Sequence, residues 1–267
     1  MKGFTMVETL IATALLGTVA AAGLTGLLQA SAAAQHIAAE QTLQERAEYA
    51  LATLAADIQM AGYFGFAAPA GNAGAAAVPL ACGAELLGGA LRGLEVQPRY
   101  TLSCAAAGRG SVPGSPVLVL RRASTQTAAP EAGRVQWYSN LAEPEHNRLL
   151  WNGVLPPALP LTNHGELRNL VVRAFYIARS SDGDNQTPSL RVKSLTAIAG
   201  NPAFIDTEVM PGVMSLRVEP VPDERHPTAV QIVLGLQRES AARSGTQASA
   251  ASSFFTRHLA LRNAPES

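Results

Sequence analysis

Apolar and polar positions alternate along this chain in two different rhythms. From Thr9 to Gln35 there is no Asp, Glu, Lys or Arg. The run is rich in Ala, Leu, Val and Ile, and the segment from Phe4 to Leu28 has the roughly 20 apolar residues that a helix needs to cross a bilayer. Such a helix closes its own backbone hydrogen bonds. Past Gln35 the pattern turns amphipathic. Ile37, Leu43, Ala47, Leu51, Leu54 and Ile58 recur mainly at helical spacing, while Glu40, Glu45, Arg46, Glu48 and Asp57 fill much of the remainder. No proline precedes Pro69. One helix is therefore expected from Phe4 to Ala61, about 85 Å long at 1.5 Å per residue. Gly17, Gly23 and Gly26 are the places where it could be interrupted or closely packed. Gly62 and Gly65 are natural stops.

The second rhythm is shorter. Residues 67–116 are rich in Gly, Ala and Pro and predict a long excursion, with short elements near Leu86–Leu94 and Glu95–Leu102. Strand-like runs follow at Val117–Arg121, Val135–Tyr138, Leu149–Val154, Leu170–Ile177, Leu190–Leu195, Val213–Val221, Val230–Leu236 and Phe254–Leu261. Alternation is clearest in Val213–Val221 and Val230–Leu236, the pattern of half-buried antiparallel strands. Ser180 to Asn185 is a turn between two strands, and 239–253 reads as a loop. The fold class expected is α+β: a long N-terminal helix packed on an antiparallel β-sheet head.

One charge breaks the first pattern. Glu8 sits at the start of the apolar run, where an unpaired acid is costly. Lys2 precedes the run and weakly favours an N-in orientation. Three readings compete: a plain signal anchor; a secretory signal peptide cut at the small residues Ala20, Ala21 and Ala22; and a processing site between Gly3 and Phe4 that retains the helix. Only the third accounts for Glu8.

The stretch Gly3-Phe4-Thr5-Met6-Val7-Glu8-Thr9-Leu10-Ile11-Ala12 resembles the class III signal of type IV pilins and type II secretion pseudopilins. That resemblance implies cleavage after Gly3 by a prepilin peptidase and methylation of Phe4. It implies that Glu8 pairs with the N-terminal amine of a neighbouring subunit, which offsets its burial and sets register. Asp57 to Phe66, the stretch Val209 to Val218 with its Pro211-Gly212-Val213, and Phe255 to Asn263 resemble segments of PilW-type minor pilins. The implied layout is a leader at 1–3, a transmembrane and assembly helix at 4–30, its amphipathic half at 31–62, and a periplasmic β-rich head at 63–267. The helix would hold the precursor in the inner membrane until it enters a pilus, at or near the tip. The implied partners are other minor and major pilins, the prepilin peptidase and the inner-membrane assembly platform. A J-type pseudopilin is the alternative within the superfamily. A membrane-anchored periplasmic enzyme or binding protein is the alternative outside it.

Composition adds little against this. Twenty basic and twenty acidic residues cancel, and without a basic stripe no direct nucleic-acid binding is expected. The two cysteines, Cys82 and Cys104, would face an oxidising compartment beyond an N-in helix. They are expected to form a disulfide closing a loop of about 23 residues, worth roughly 3 kcal/mol; two separate buried thiols are the alternative. No catalytic residues, cofactor or metal site are expected. His164-Gly165-Glu166 lacks the companion cysteines of a zinc deaminase. Gly108-Arg109-Gly110-Ser111 lacks the lysine and spacing of a phosphate-binding loop. His146, His164 and His226 sit in polar, turn-like contexts. Asp182, Asp184 and Asn185 lack the distal glutamate of a calcium loop. Trp137, Tyr138 and Trp151 read as core or sheet-face residues rather than a ligand platform.

Overall fold

A computed structural model describes residues 5–69, 78–87, 92–159, 161, 164–183, 186–221, 228–238 and 252–263. The chain divides into two units, Met1–Arg46 and Ala47–Ser267. A single helix, α1, spans Met6–Met60 and contributes to both.

In the first unit α1 runs without a break through Gly17, Gly23 and Gly26. Its large apolar side chains, from Met6, Val7 and Leu10 to Leu24, Leu27 and Leu28, are all exposed. By length and composition the helix is long and apolar enough to cross a membrane. The threonines in this stretch suit such a setting. Thr9, Thr13, Thr18 and Thr25 each donate the hydroxyl to a backbone carbonyl three or four residues earlier. No hydroxyl proton is thereby left seeking water.

The second unit is built on antiparallel strands. Seven form one sheet: β1 (Leu94–Gln97), β2 (Val117–Thr127), β3 (Ala132–Asn140), β4 (Arg148–Asn152), β5 (Gly165–Ala178), β6 (Ser189–Ile198) and β7 (Asn201–Pro211). β5 organises it. One side pairs with β2, while the other pairs with β3 over 165–169 and then with β6 over 173–178. The sheet thus forks along its longest strand. Three more strands, β8 (Val213–Val221), β9 (Ala229–Gln237) and β10 (Ser252–Ala260), form a second sheet with β9 central.

Both faces of the larger sheet are covered around β2 and β5, which explains why β2 opens as a continuous apolar run rather than an alternating one. On one face Val117, Val119, Val172, Ala174, Tyr176, Val135, Trp137 and Leu149 pack with Val78, Leu86, Leu87 and Leu102 of the excursion and with Phe64. The opposite parity is buried as well, at Leu118, Leu120, Phe175 and Ile177. Arg122 and Arg173 share that second face and reach the end of α1. Ala47, Ala50, Leu51, Leu54 and Ile58 of the helix are buried. The smaller sheet alternates cleanly. Leu216, Val218, Val230, Ile232, Leu234 and Leu236 point inward, while Arg217 and Glu219 form an exposed ion pair. Phe254 lies outside over Gly235, directly opposite it in register, and fills the space that glycine leaves.

The structure departs from the sequence reading in five places. Ile37 is exposed despite its place on the expected stripe, and Asp57, placed among the polar residues outside that stripe, is buried. The element expected at Glu95–Leu102 contracts to β1. Leu149–Val154 becomes Arg148–Asn152, because Gly153 turns the chain at φ 70°. β7 was not foreseen. The β6–β7 turn is Ala199-Gly200, and both residues have positive φ, 48° and 74°. Alanine rarely adopts that conformation, so the usual Asn-Gly signal is missing. Residues 239–251 of the expected loop lie outside the described residues, and Ser252 and Ser253 already belong to β10.

Candidate functional site

Of the positions expected to be processed, Gly3 and Phe4 lie outside the described residues. Glu8 is described, in the first turn of α1. Its Oε2 accepts hydrogen bonds from the Thr5 backbone N–H at 2.9 Å and from the Thr5 hydroxyl at 3.0 Å. This is the reciprocal half of a capping box, in which the third helical residue reaches back to the N-cap amide. Thr5-Met6-Val7-Glu8 spells the pattern in the sequence, where the cap went unread. Glu8 therefore has a local role, satisfying an otherwise orphaned donor next to an apolar run.

Cys82 and Cys104 form a disulfide with Cα atoms 4.9 Å apart. It closes a strap that lies over the apolar face of the larger sheet. Glu85 accepts from the Ser103 backbone N–H at 2.6 Å, and the Ser103 hydroxyl accepts from the Gly83 backbone N–H at 2.7 Å. The Tyr100 hydroxyl donates to the Cys104 carbonyl at 2.6 Å. Gly83, at φ 77°, is held between Phe204 and the Cys104 sulfur, which leaves no room for a side chain.

The strap is tied to the sheet by a polar hub centred on Asp206 of β7. Its carboxylate accepts from Lys193 Nζ at 2.7 Å, from the Tyr176 hydroxyl at 2.7 Å and from Arg191 Nε at 2.6 Å. Lys193 also donates to the Ala105 carbonyl at 2.8 Å, and the Ala107 N–H donates to the Tyr176 hydroxyl at 2.9 Å. Burial alone would raise the Asp206 carboxyl, but these donors outweigh it and hold the group below the ordinary carboxylate range. Burial, reinforced by the hydrogen bond to Asp206, pushes Tyr176 above the usual phenol range. Arg191 is matched by Asp206, Asp182 and Glu208. A hub so fully paired fastens structure; its charges already answer one another.

The other candidate residues have structural surroundings. Asp182 pairs with Arg191, while Asp184 and Asn185 lie outside the described residues. Glu166 is buried, pairs with Arg168 at 2.6 Å and accepts from the Phe66 N–H at 2.9 Å, so it secures the chain just after α1. His146 Nδ1 lies 2.8 Å from Glu143; His226 lies outside the described residues. Trp137 and Tyr138 are buried, with Phe64 edge-on to Trp137 at 6.2 Å, and Trp151 packs against the same core. Among the described residues no group of three or more His, Cys, Asp or Glu could hold a metal ion.

Sequence reasoning missed a joint at the end of α1. Asp57, 4% exposed, meets Arg173 Nη1 at 2.5 Å and Arg122 Nη2 at 3.8 Å. Backbone bonds complete the joint: the Gly62 N–H to the Arg121 carbonyl at 3.0 Å, the Ala123 N–H to the Tyr63 carbonyl at 2.6 Å, and the Arg262 N–H to the Gln59 carbonyl at 3.3 Å. Gly62 turns the chain at φ 80°, and a Cβ there would lie 2.9 Å from the Asn263 carbonyl oxygen. The signal for Asp57 was its position. It lies three residues after Leu54 and four before Ala61, both buried, so it shares their face.

Fold and geometry together define an α+β protein in which a membrane-length apolar helix is followed by an antiparallel β body. In comparisons with protein-family models, curated proteins and solved structures, nothing matches this chain.

Proposed function

We propose that this chain is a minor pilin of a type IV pilus, similar to the PilW type, and that it acts by assembly rather than catalysis. The observation that carries the proposal is an acid in the first turn of a helix whose next twenty or so residues are apolar and exposed. The matching signal, Gly3 to Ala12, gives that acid a reason. Cleavage after Gly3 would leave Thr5 as the second residue of the mature chain, so the capping bonds from Thr5 to Glu8 could persist. A carboxylate at the centre of a bilayer costs on the order of 3 kcal/mol. A neighbouring subunit's N-terminal ammonium offsets that cost and selects one register. The helix holds the precursor in the inner membrane, with the disulfide-closed head in the oxidising periplasm. The head then takes its place with other minor pilins, at the tip or in a priming complex.

The test is mass spectrometry of the N-terminus, on protein from sheared pili and from membranes. Methylated Phe4 supports the proposal. An intact Met1, or an N-terminus near Ala22, overturns it.

A further inference from the structure

We propose that Asp57 is a mechanical coupling between the last turns of α1 and the β-sheet, with Arg173 of β5 and Arg122 of β2 as its two sockets. The filament setting of this inference rests on the function proposed above; the coupling itself rests on geometry alone. A helix drawn lengthwise against a sheet resists through interdigitated packing and, with more specific register, through contacts that have direction. Leu51, Leu54 and Ile58 are buried, and their apolar packing is non-directional, so it selects register less sharply than a paired charge does. The ionic joint has one geometry, and displacement of the helix breaks it. Asp57 bridges arginines from two adjacent strands that are themselves hydrogen-bonded to one another. A pull on the helix is therefore shared between β2 and β5, the two strands at the centre of the larger sheet. The backbone bonds that pair Gly62 with Arg121 and Tyr63 with Ala123 engage β2 alone and act after the helix has ended, while the bond at Gln59 reaches only Arg262, beyond the end of β10. A buried carboxylate is an expensive way to stabilise a domain and a good way to fix one arrangement of it. In a subunit that hands tension from an assembly helix to a head, fixing that arrangement is a function.

The experiment is constant-force unfolding of the full chain in detergent micelles along two axes. Handles at Gln41 and Thr127 load the helix against the sheet. Handles at Thr127 and Ile198 load the sheet alone. Asp57→Asn keeps the shape and removes the charge. It is expected to raise the unfolding rate about tenfold or more on the first axis, and to leave the second unchanged within about twofold. Arg173→Gln is expected to match it, with little further change in the double variant. Equal acceleration on both axes makes Asp57 a general stabiliser and overturns the coupling; so does no acceleration on the first. If Asp57→Asn does not fold, Arg122→Gln carries the same comparison with a smaller expected effect. Because the readout is on isolated protein, an unmethylated Phe4 removes the filament setting without touching the mechanical result.

Discussion

Reducing the bond between Cys82 and Cys104 should loosen the strap without unfolding the sheet beneath it. Cys104 lies 22 positions after Cys82. The chain-entropy relation then gives a loss of about 11 cal/mol/K for the denatured ensemble, or about 3 kcal/mol at 25 °C. For a domain of 150–250 residues that corresponds to a fall in melting temperature of about 6–12 °C. The sheet should survive because other bonds still hold the strap. Arg121 donates to the Leu86 carbonyl at 2.6 Å and to the Arg92 carbonyl at 3.1 Å, and Lys193 holds the Ala105 carbonyl. Leu86 and Leu87 remain buried against Val119 and Val172. The assay is thermal unfolding with and without reductant, paired with hydrogen exchange. Amides at 83–87 and 103–107 should exchange faster on reduction, while those of β2 and β5 stay protected. An unchanged melting temperature would refute the loop-closure reasoning. Loss of the cooperative transition would refute the claim that the polar hub holds independently.

The remaining predictions concern single side chains. Asp206→Asn should flatten the acid limb of stability. The folded carboxyl lies below its unfolded value of about 3.9, so its contribution is complete above that pH and is lost as pH falls through the folded value. Denaturant titrations from pH 6 down to 2 would show it, and a variant whose acid limb matches the wild type would sink the assignment. Ala199→Gly should stabilise by up to about 1 kcal/mol, since glycine accepts positive φ where alanine is strained; a lower denaturation midpoint would count against a strained turn. Glu8→Ala should leave cleavage and head folding intact but prevent incorporation into pili, measured by shearing and immunoblot. Wild-type piliation would remove the assembly role and leave Glu8 as a helix cap.

Much of this protein was legible in one dimension because its largest features repeat. An apolar run without charge, then an amphipathic one, specifies a helix wherever it sits, and α1 runs close to its expected limits. Eight expected strands appear near their places because hydrophobic runs and alternation are local properties. Two cysteines in a Gly/Ala-rich stretch were enough to expect a disulfide. What the residues could not settle by themselves depends on who faces whom. Asp57 reads as one more polar residue until Arg173, more than a hundred positions later, is folded against it. Asp206 lies in a strand with no strong pattern, and it acquires its role from Lys193 and Arg191 on β6 and from Tyr176 on β5, the strand beyond. β7 stayed hidden because an Ala199-Gly200 turn contradicts local preference, and only its ten register positions against β6 make it a strand. The physical reason is common to all three. Periodicity and composition act through near neighbours, whereas the free energy of a buried charge depends on a partner that only the tertiary fold supplies.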